Sequence, residues 1–171
     1  MPRNVEIKAG IPSVDAIEPR AAALASAGPF EIAQDDTFFR CEAGRLKLRT
    51  FADGTGELVF YRRPDRRGPT ESFYVRSAVS DPASLRDALA LAYGEAGRVV
   101  KRRTLYLVGR TRVHLDRVDG LGDHLELEVV LADDEPLEAG VREAQALLAR
   151  LGIAESQLVE GAYVDLLAAA S

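Results

Sequence analysis

An α+β protein dominated by antiparallel strands is the fold class this sequence predicts, and three observations carry the prediction. Eight short segments alternate apolar and polar residues with the two-residue period of a strand. Several are joined by turns of hairpin length: "EAGR" at 42–45, "ADGTGE" at 52–57, "GR" at 109–110 and "DGLGD" at 119–123. Only a few helical patterns interrupt the series, so helices act as covers for a mainly antiparallel sheet or barrel.

The strand segments are 3–9, 31–41, 45–51, 57–63, 71–79, 97–108, 111–118 and 123–131. Ser13 reads as the N-cap of a first helix running to about Ala27, with Pro19 near its first turn or at a kink. Asp81 caps a second helix, Pro82 occupies its first position and Gly94 stops it. A third begins near Pro136 and ends with Gly152 past its last turn. The acidic run Asp133, Asp134 and Glu135 just before it is explained by helix-start electrostatics. A short helix at about 162–169 follows.

At 171 residues the chain suits one domain, 1–171, long enough to bury a core without staples. Its 47% hydrophobic and 29% charged content is that of a globular protein. No apolar run approaches the roughly 20 residues of a membrane span, and the N-terminus lacks a signal peptide's apolar core. The single cysteine, Cys41, fits a reducing cytosol, so a cytoplasmic location is expected, with Cys41 as a small packed residue. One cysteine and two histidines cannot build a structural zinc site of the common type. A net charge of -5 argues against a nucleic-acid partner. Neither nucleic acid nor membrane is expected.

Splitting each strand into its two faces gives a second pattern. Arg45, Lys47 and Arg49 share one face, as do Lys101 and Arg103. Arg112, His114 and Asp116 share another, opposite Val113 and Leu115. His124, Glu126 and Glu128 stand against Leu125, Leu127 and Val129, and Asn4, Glu6 and Lys8 against Val5 and Ile7. A solvated face interleaves acids and bases, and avoids like charges directly opposite one another. Here bases concentrate on some strands and acids on others, which calls for compensating ions. If the sheet closes with its apolar side outward, the polar faces converge on a channel with a basic wall and a carboxylate cluster. Such a channel suits a polyphosphate clamped by Arg and Lys and bridged by Mg²⁺ or Mn²⁺.

The segments "EIK" at 6–8, "GRLKLR" at 44–49, "YRRPDRRGP" at 61–69, "VVKRRTLYLVGRTRVHLDRVDGLGDHLELEVVL" at 99–131 and "YVDLL" at 163–167 resemble the CYTH superfamily, the triphosphate tunnel metalloenzymes. The class IV adenylyl cyclase-like branch is nearest. The resemblance implies a closed eight-stranded antiparallel barrel with helices packed outside. Its polar interior would bind a triphosphate-containing small molecule, ATP or inorganic triphosphate, with Mg²⁺ or Mn²⁺. It also implies a catalytic set of Glu6, Lys8, Asp116, Glu126 and Glu128. Of these, Glu6, Asp116, Glu126 and Glu128 would hold metal, directly or through water. Lys8, Lys47, Arg49, Arg63, Lys101, Arg103 and Arg112 would bind substrate. A homodimer is the assembly such proteins often form. The expected reaction converts ATP to cyclic AMP and pyrophosphate. The alternatives are a triphosphatase acting on inorganic triphosphate, thiamine triphosphate or a nucleoside triphosphate, and a non-catalytic polyphosphate-binding module.

The chain departs from the family pattern at two places. Asn4 replaces the first glutamate of the opening motif, and Thr70 and Glu71 stand where the cyclase-like branch carries a basic residue. His114 reads as a structural hydrogen-bond partner and His124, beside a turn, as solvent-facing. Tyr61 and Tyr74 read as core residues, with a base-binding mouth as their alternative role. Arg66 and Arg67 lie in a Pro/Gly-rich loop, as a phosphate lid or a solvated pair.

Overall fold

Alternation and hairpin turns fold this chain into a barrel that closes on itself. The computed structural model describes residues 2–171. The strands are β1 (Arg3–Gly10), β2 (Ala27–Phe39), β3 (Arg45–Phe51), β4 (Gly56–Arg62), β5 (Thr70–Val79), β6 (Glu95–Val108), β7 (Thr111–Val118), β8 (Gly122–Val130) and the short β9 (Leu158–Val159). The helices are α1 (Val14–Leu24), α2 (Pro82–Tyr93), α3 (Leu137–Leu151) and α4 (Tyr163–Ala170). The order β5-β4-β3-β2-β6-β7-β8-β1 is antiparallel throughout, and β1 pairs back onto β5 to close an eight-stranded barrel. Closure satisfies the backbone groups that a sheet edge would leave open. Strand β9 pairs with β1 below the β1–β5 contact.

The apolar faces point outward, as the alternation requires. Val5, Ile7 and Ala9 of β1, Val113 and Leu115 of β7, and Leu125, Leu127 and Val129 of β8 form one core with α1 and α3. Helix α1 contributes Val14, Ile17 and Ala21, and α3 contributes Ala144, Leu147, Leu148 and Leu151. Gly140 lets α3 approach β1 closely, since a Cβ there would lie 2.7 Å from both Val5 and Leu131. A smaller core of Phe38, Val99, Val118 and Tyr163 seats α4 at one end of the barrel.

The caps match the sequence reading: Ser13 accepts from the Ala16 amide and Asp81 from that of Ser84. Two boundaries differ most. Helix α1 stops at Leu24 and carries Pro19 in its middle rather than its first turn. The donor that proline lacks would have served the carbonyl of Asp15, inside the first turn, which limits the loss. Strand β2 starts at Ala27, not 31, because the long β6 pairs with it as far back as Ala27 through an irregular register. Pairing there overrides a segment, "AGPF", that has no alternation of its own.

Candidate functional site

The inward faces of the eight strands enclose a cavity of about 310 Å³, lined by the residues whose polar faces the sequence had set apart. Its two ends differ. Ala162 and Tyr163, at the start of α4, line one end. Tyr163 lies under two lysines there, with Lys8 Nζ 4.1 Å and Lys101 Nζ 4.9 Å from its ring centre. The other end takes in Asn4, Phe51, Glu57, Arg112 and Glu128, each within two residues of the matching end of its strand, with Ile32, Arg76 and Leu105 further along theirs.

The acidic side is built by register. Glu6 of β1 stands opposite Glu128 of β8, and Lys8 opposite Glu126. One strand further round, His114 of β7 faces Glu126 and Arg112 faces Glu128. His114 Nδ1 lies 3.4 Å from Glu126 Oε1 and 3.9 Å from Glu128 Oε1. The potential ligand atoms of His114, Glu126 and Glu128 all fall within 4.8 Å of one another. Carboxylate oxygens with one imidazole suit a hard or borderline divalent ion such as Mg²⁺ or Mn²⁺. His114 is thus brought into the acidic cluster, a placement its type alone did not reveal.

Electrostatics separate the carboxylates. Burial, then the neighbouring Glu128 and Glu126, push the Glu6 carboxyl up to about 7. Arg63, 3.0 Å from Glu6, pulls the other way without prevailing. Glu126 is held well below the ordinary range against its burial by Lys8, His114 and Arg103. Divergent titration of adjacent carboxyls is characteristic of functional sites.

The basic wall is pre-paired. Lys47 and Arg49 of β3 both bind Asp36 of β2, at 3.1 and 2.8 Å. Arg103 binds Asp116 through two hydrogen bonds of 2.7 and 2.8 Å. Lys8 lies 3.5 Å from Glu126, and Arg112 3.4 Å from Glu128. Lys8 and Arg63 also donate to the carbonyl of Gly161, at 3.1 and 3.0 Å. Lys101 has no carboxylate within salt-bridge distance among the described residues. Burial and the adjacent Arg103 hold its amine well below its ordinary value. Burial also lowers Lys8 and Lys47.

Several expectations are corrected. Asp116 does not line the cavity: it is fully buried behind the wall, and Arg103 and the Tyr163 hydroxyl, at 2.8 Å, occupy its carboxylate. From behind the basic wall it orients Arg103. Arg45 shares strand parity with Lys47 but lies past the barrel rim, bound to Asp65 and Asp165. His124 is buried rather than solvent-facing, its ring edge-on to Tyr163 at 5.3 Å, because α4 folds over that end. Tyr61 lies under Lys47 and Tyr74 beside Arg76, both on the cavity wall rather than in an apolar core. Cys41 is half-buried just past β2, and Arg66 and Arg67 are exposed. Asp36 and Tyr163 were not singled out. Asp36 sits in a segment whose alternation is obscured by "QDDT", and Tyr163 reaches the tunnel only through the fold of α4.

The model of the CYTH domain matches residues 2–163 of this chain. The chain belongs to the CYTH family. It is 30% identical over 172 residues to adenylate cyclase CyaB of Aeromonas hydrophila, covering 94% of this chain and 86% of that protein. Among solved structures, the PH1012 protein of Pyrococcus horikoshii shares the fold with a TM-score of 0.85. It is 24% identical, over 96% of this chain and 99% of that one. A proposed adenylyl cyclase from Hippeastrum with a dominant triphosphatase activity has a TM-score of 0.69 at 17% identity, over 99% and 96% of the two chains. The CYTH barrel is therefore present with its tunnel formed, and no helix is long and apolar enough to cross a membrane among the described residues.

Proposed function

We propose that this CYTH protein is a metal-dependent adenylyl cyclase, converting ATP to cyclic AMP and pyrophosphate. The observation that supports it best is the opposition, inside one closed tunnel, of the Glu6–Glu126–Glu128–His114 cluster to a wall of buried lysines and arginines. Glu126, Glu128 and Glu6 would hold Mg²⁺ or Mn²⁺, with His114 as a further donor. When bound, the ion would neutralise phosphate oxygens and lower the pKa of the attacking hydroxyl.

The chain's own side chains supply the rest. Lys8, Lys47, Arg49, Arg63, Lys101, Arg103 and Arg112 donate to the phosphate oxygens and hold the triphosphate extended along the tunnel. Asp116 and Tyr163 fix the Arg103 fork, and Asp36 fixes Lys47 and Arg49, so the donors meet the substrate already oriented. The ribose 3′-hydroxyl gives up its proton to water as its oxygen attacks the α-phosphorus, the bond from that phosphorus to the bridging oxygen breaks, and pyrophosphate leaves. Charge growing on the departing oxygens is taken up by the basic wall.

The second reading is a triphosphatase, in which water attacks the terminal phosphorus of inorganic triphosphate, thiamine triphosphate or a nucleotide. The same wall and cluster serve it, and the Hippeastrum neighbour favours it. A binding module without turnover is the third. Incubation with ATP or inorganic triphosphate and Mn²⁺ or Mg²⁺, with products resolved, separates them. Cyclic AMP with pyrophosphate supports the cyclase, orthophosphate supports the hydrolase, and binding without turnover supports the module.

A further inference from the structure

One buried cation of the tunnel lacks a counter-charge. Lys8 stands against Glu126, Lys47 and Arg49 against Asp36, Arg63 against Glu6, Arg103 against Asp116 and Arg112 against Glu128. Lys101 lines the same cavity and is 4% exposed, with no carboxylate at salt-bridge distance among the described residues. Charged side chains that deep in a protein are normally paired, because burial penalises the ionised form.

The groups around the Lys101 amine do not make up the lack. Arg103, on the same face of β6, is a second cation. Asp116 of β7 already binds Arg103 and the Tyr163 hydroxyl, and Asp36 of β2 already binds Lys47 and Arg49 of β3. Tyr163 of α4 presents its ring 4.9 Å from Lys101 Nζ, but Lys8 of β1 lies against the same ring at 4.1 Å. Gln34, the register partner of Lys101 on β2, also lines the cavity, and its Oε1 is buried with no hydrogen-bond partner. An ammonium, with three N–H donors, would be drawn to that oxygen, yet no hydrogen bond joins the two. Burial, then Arg103, holds the amine well below its ordinary value; Asp116 and Asp36 pull the other way, and Arg49 adds to the lowering. A polyanion reverses this balance, because phosphate oxygens bring both the counter-charge and the acceptors that Lys101 lacks.

We propose that Lys101 is a neutral amine in the ligand-free protein and becomes an ammonium as a triphosphate binds, so that the anion and one proton are taken up together. The amine's lone pair takes the proton from water, and the new ammonium donates to phosphate oxygens and to Gln34 Oε1. When the ligand leaves, the proton returns to water. This rests on the triphosphate reading of the tunnel and adds a pH response to it. The complex holds one proton more than the free protein, so affinity falls by up to about tenfold per pH unit above the free-state value of Lys101. Glu6 acts at lower pH and in the opposite sense, through the cation.

The test uses the whole protein with inorganic triphosphate and Ca²⁺ at pH 8.5, where Glu6 is ionised. Calorimetric titration in two buffers of different ionisation enthalpy counts the protons taken up. The unaltered protein is expected to take up about one proton more per triphosphate than Lys101→Met, which has no amine, or Lys101→Arg, whose charge is permanent. Protons exchanged by the ligand and by Ca²⁺ are common to all three and cancel. Nitrogen NMR of the lysine Nζ groups, assigned through bonds in the unaltered protein, gives a second reading that needs no variant to fold. Lys101 is expected to resonate as an amine without triphosphate and as an ammonium with it. Equal proton uptake by the three proteins would overturn the proposal. So would an ammonium signal from Lys101 without ligand. Failure of triphosphate to bind the unaltered protein would instead remove the triphosphate reading, and this inference with it.

Discussion

Arg103 and Asp116 are register partners on β6 and β7, joined by two hydrogen bonds and both buried, one in the tunnel lining and the other behind it. Removing one member of such a pair strands a charge in a low-dielectric site, at about 3–5 kcal/mol. Asp116→Ala is expected to lose that much in denaturant unfolding, and Tyr163→Phe, which removes one neutral donor, about 1–2 kcal/mol. Arg103 holds the Asp116 carboxyl below the ordinary carboxylate range. This contribution is therefore complete above that range and is lost as pH falls through the lowered value. An unfolding free energy unchanged by Asp116→Ala would refute the assignment.

Glu126 touches Lys8 and His114 and stands within 3.7 Å of Arg103, so its charge organises both sides of the tunnel. Glu126→Gln keeps the shape and removes the charge. Turnover is expected to fall at least a hundredfold, and Mn²⁺ binding, read by electron paramagnetic resonance, to weaken in parallel. Full activity in this variant would sink the metal assignment.

The raised Glu6 carboxyl, at about 7, makes cation binding pH-dependent. Below that value a proton must leave before an ion can bind. Affinity for Mn²⁺ is expected to rise about tenfold per pH unit up to 7 and then level off. In the metal-free protein the sign reverses: the folded state holds a proton that the unfolded state releases above about 4.5, so this group destabilises as pH rises from there to 7. Glu6→Gln should flatten both slopes, and titrations of the two proteins at pH 5.5, 6.5 and 7.5 measure them.

Asp36 carries the charge balance for Lys47 and Arg49. Asp36→Asn leaves two buried cations short of their partner, and the melting temperature without ligand is expected to fall by several degrees. An anion can then replace the missing carboxylate, so inorganic triphosphate should raise the melting temperature of the variant more than that of the unaltered protein. A smaller ligand shift in Asp36→Asn would show that Asp36 acts by other means.

Gly140 marks where α3 meets β1. Alanine normally gains up to about 1 kcal/mol over glycine inside a helix, but here its Cβ meets Val5 and Leu131 at 2.7 Å. Overpacking costs about 1–3 kcal/mol, so Gly140→Ala is expected to destabilise. Equilibrium unfolding decides the sign.

The sequence by itself determined the strands, most helix caps and the sorting of charges. Strand alternation assigned Glu6, Lys8, Lys47, Arg49, Lys101, Arg103, Glu126 and Glu128 to faces that do line the tunnel, because a two-residue period leaves a side chain only two choices. The tertiary structure decided what stands opposite what. Register brought His114 to Glu126 and Glu128, while Asp116, on the same face as His114, went behind the wall to Arg103. Closure by α4 carried Tyr163 onto Lys8 and Lys101 and buried His124, a contact spanning more than a hundred residues for Lys8. The placement of Asp36 against Arg49 is likewise a product of pairing between strands. Parity is a local property of the backbone, but the partner across a barrel depends on register, shear and the docking of a distant helix, and those are fixed only when the whole sheet closes.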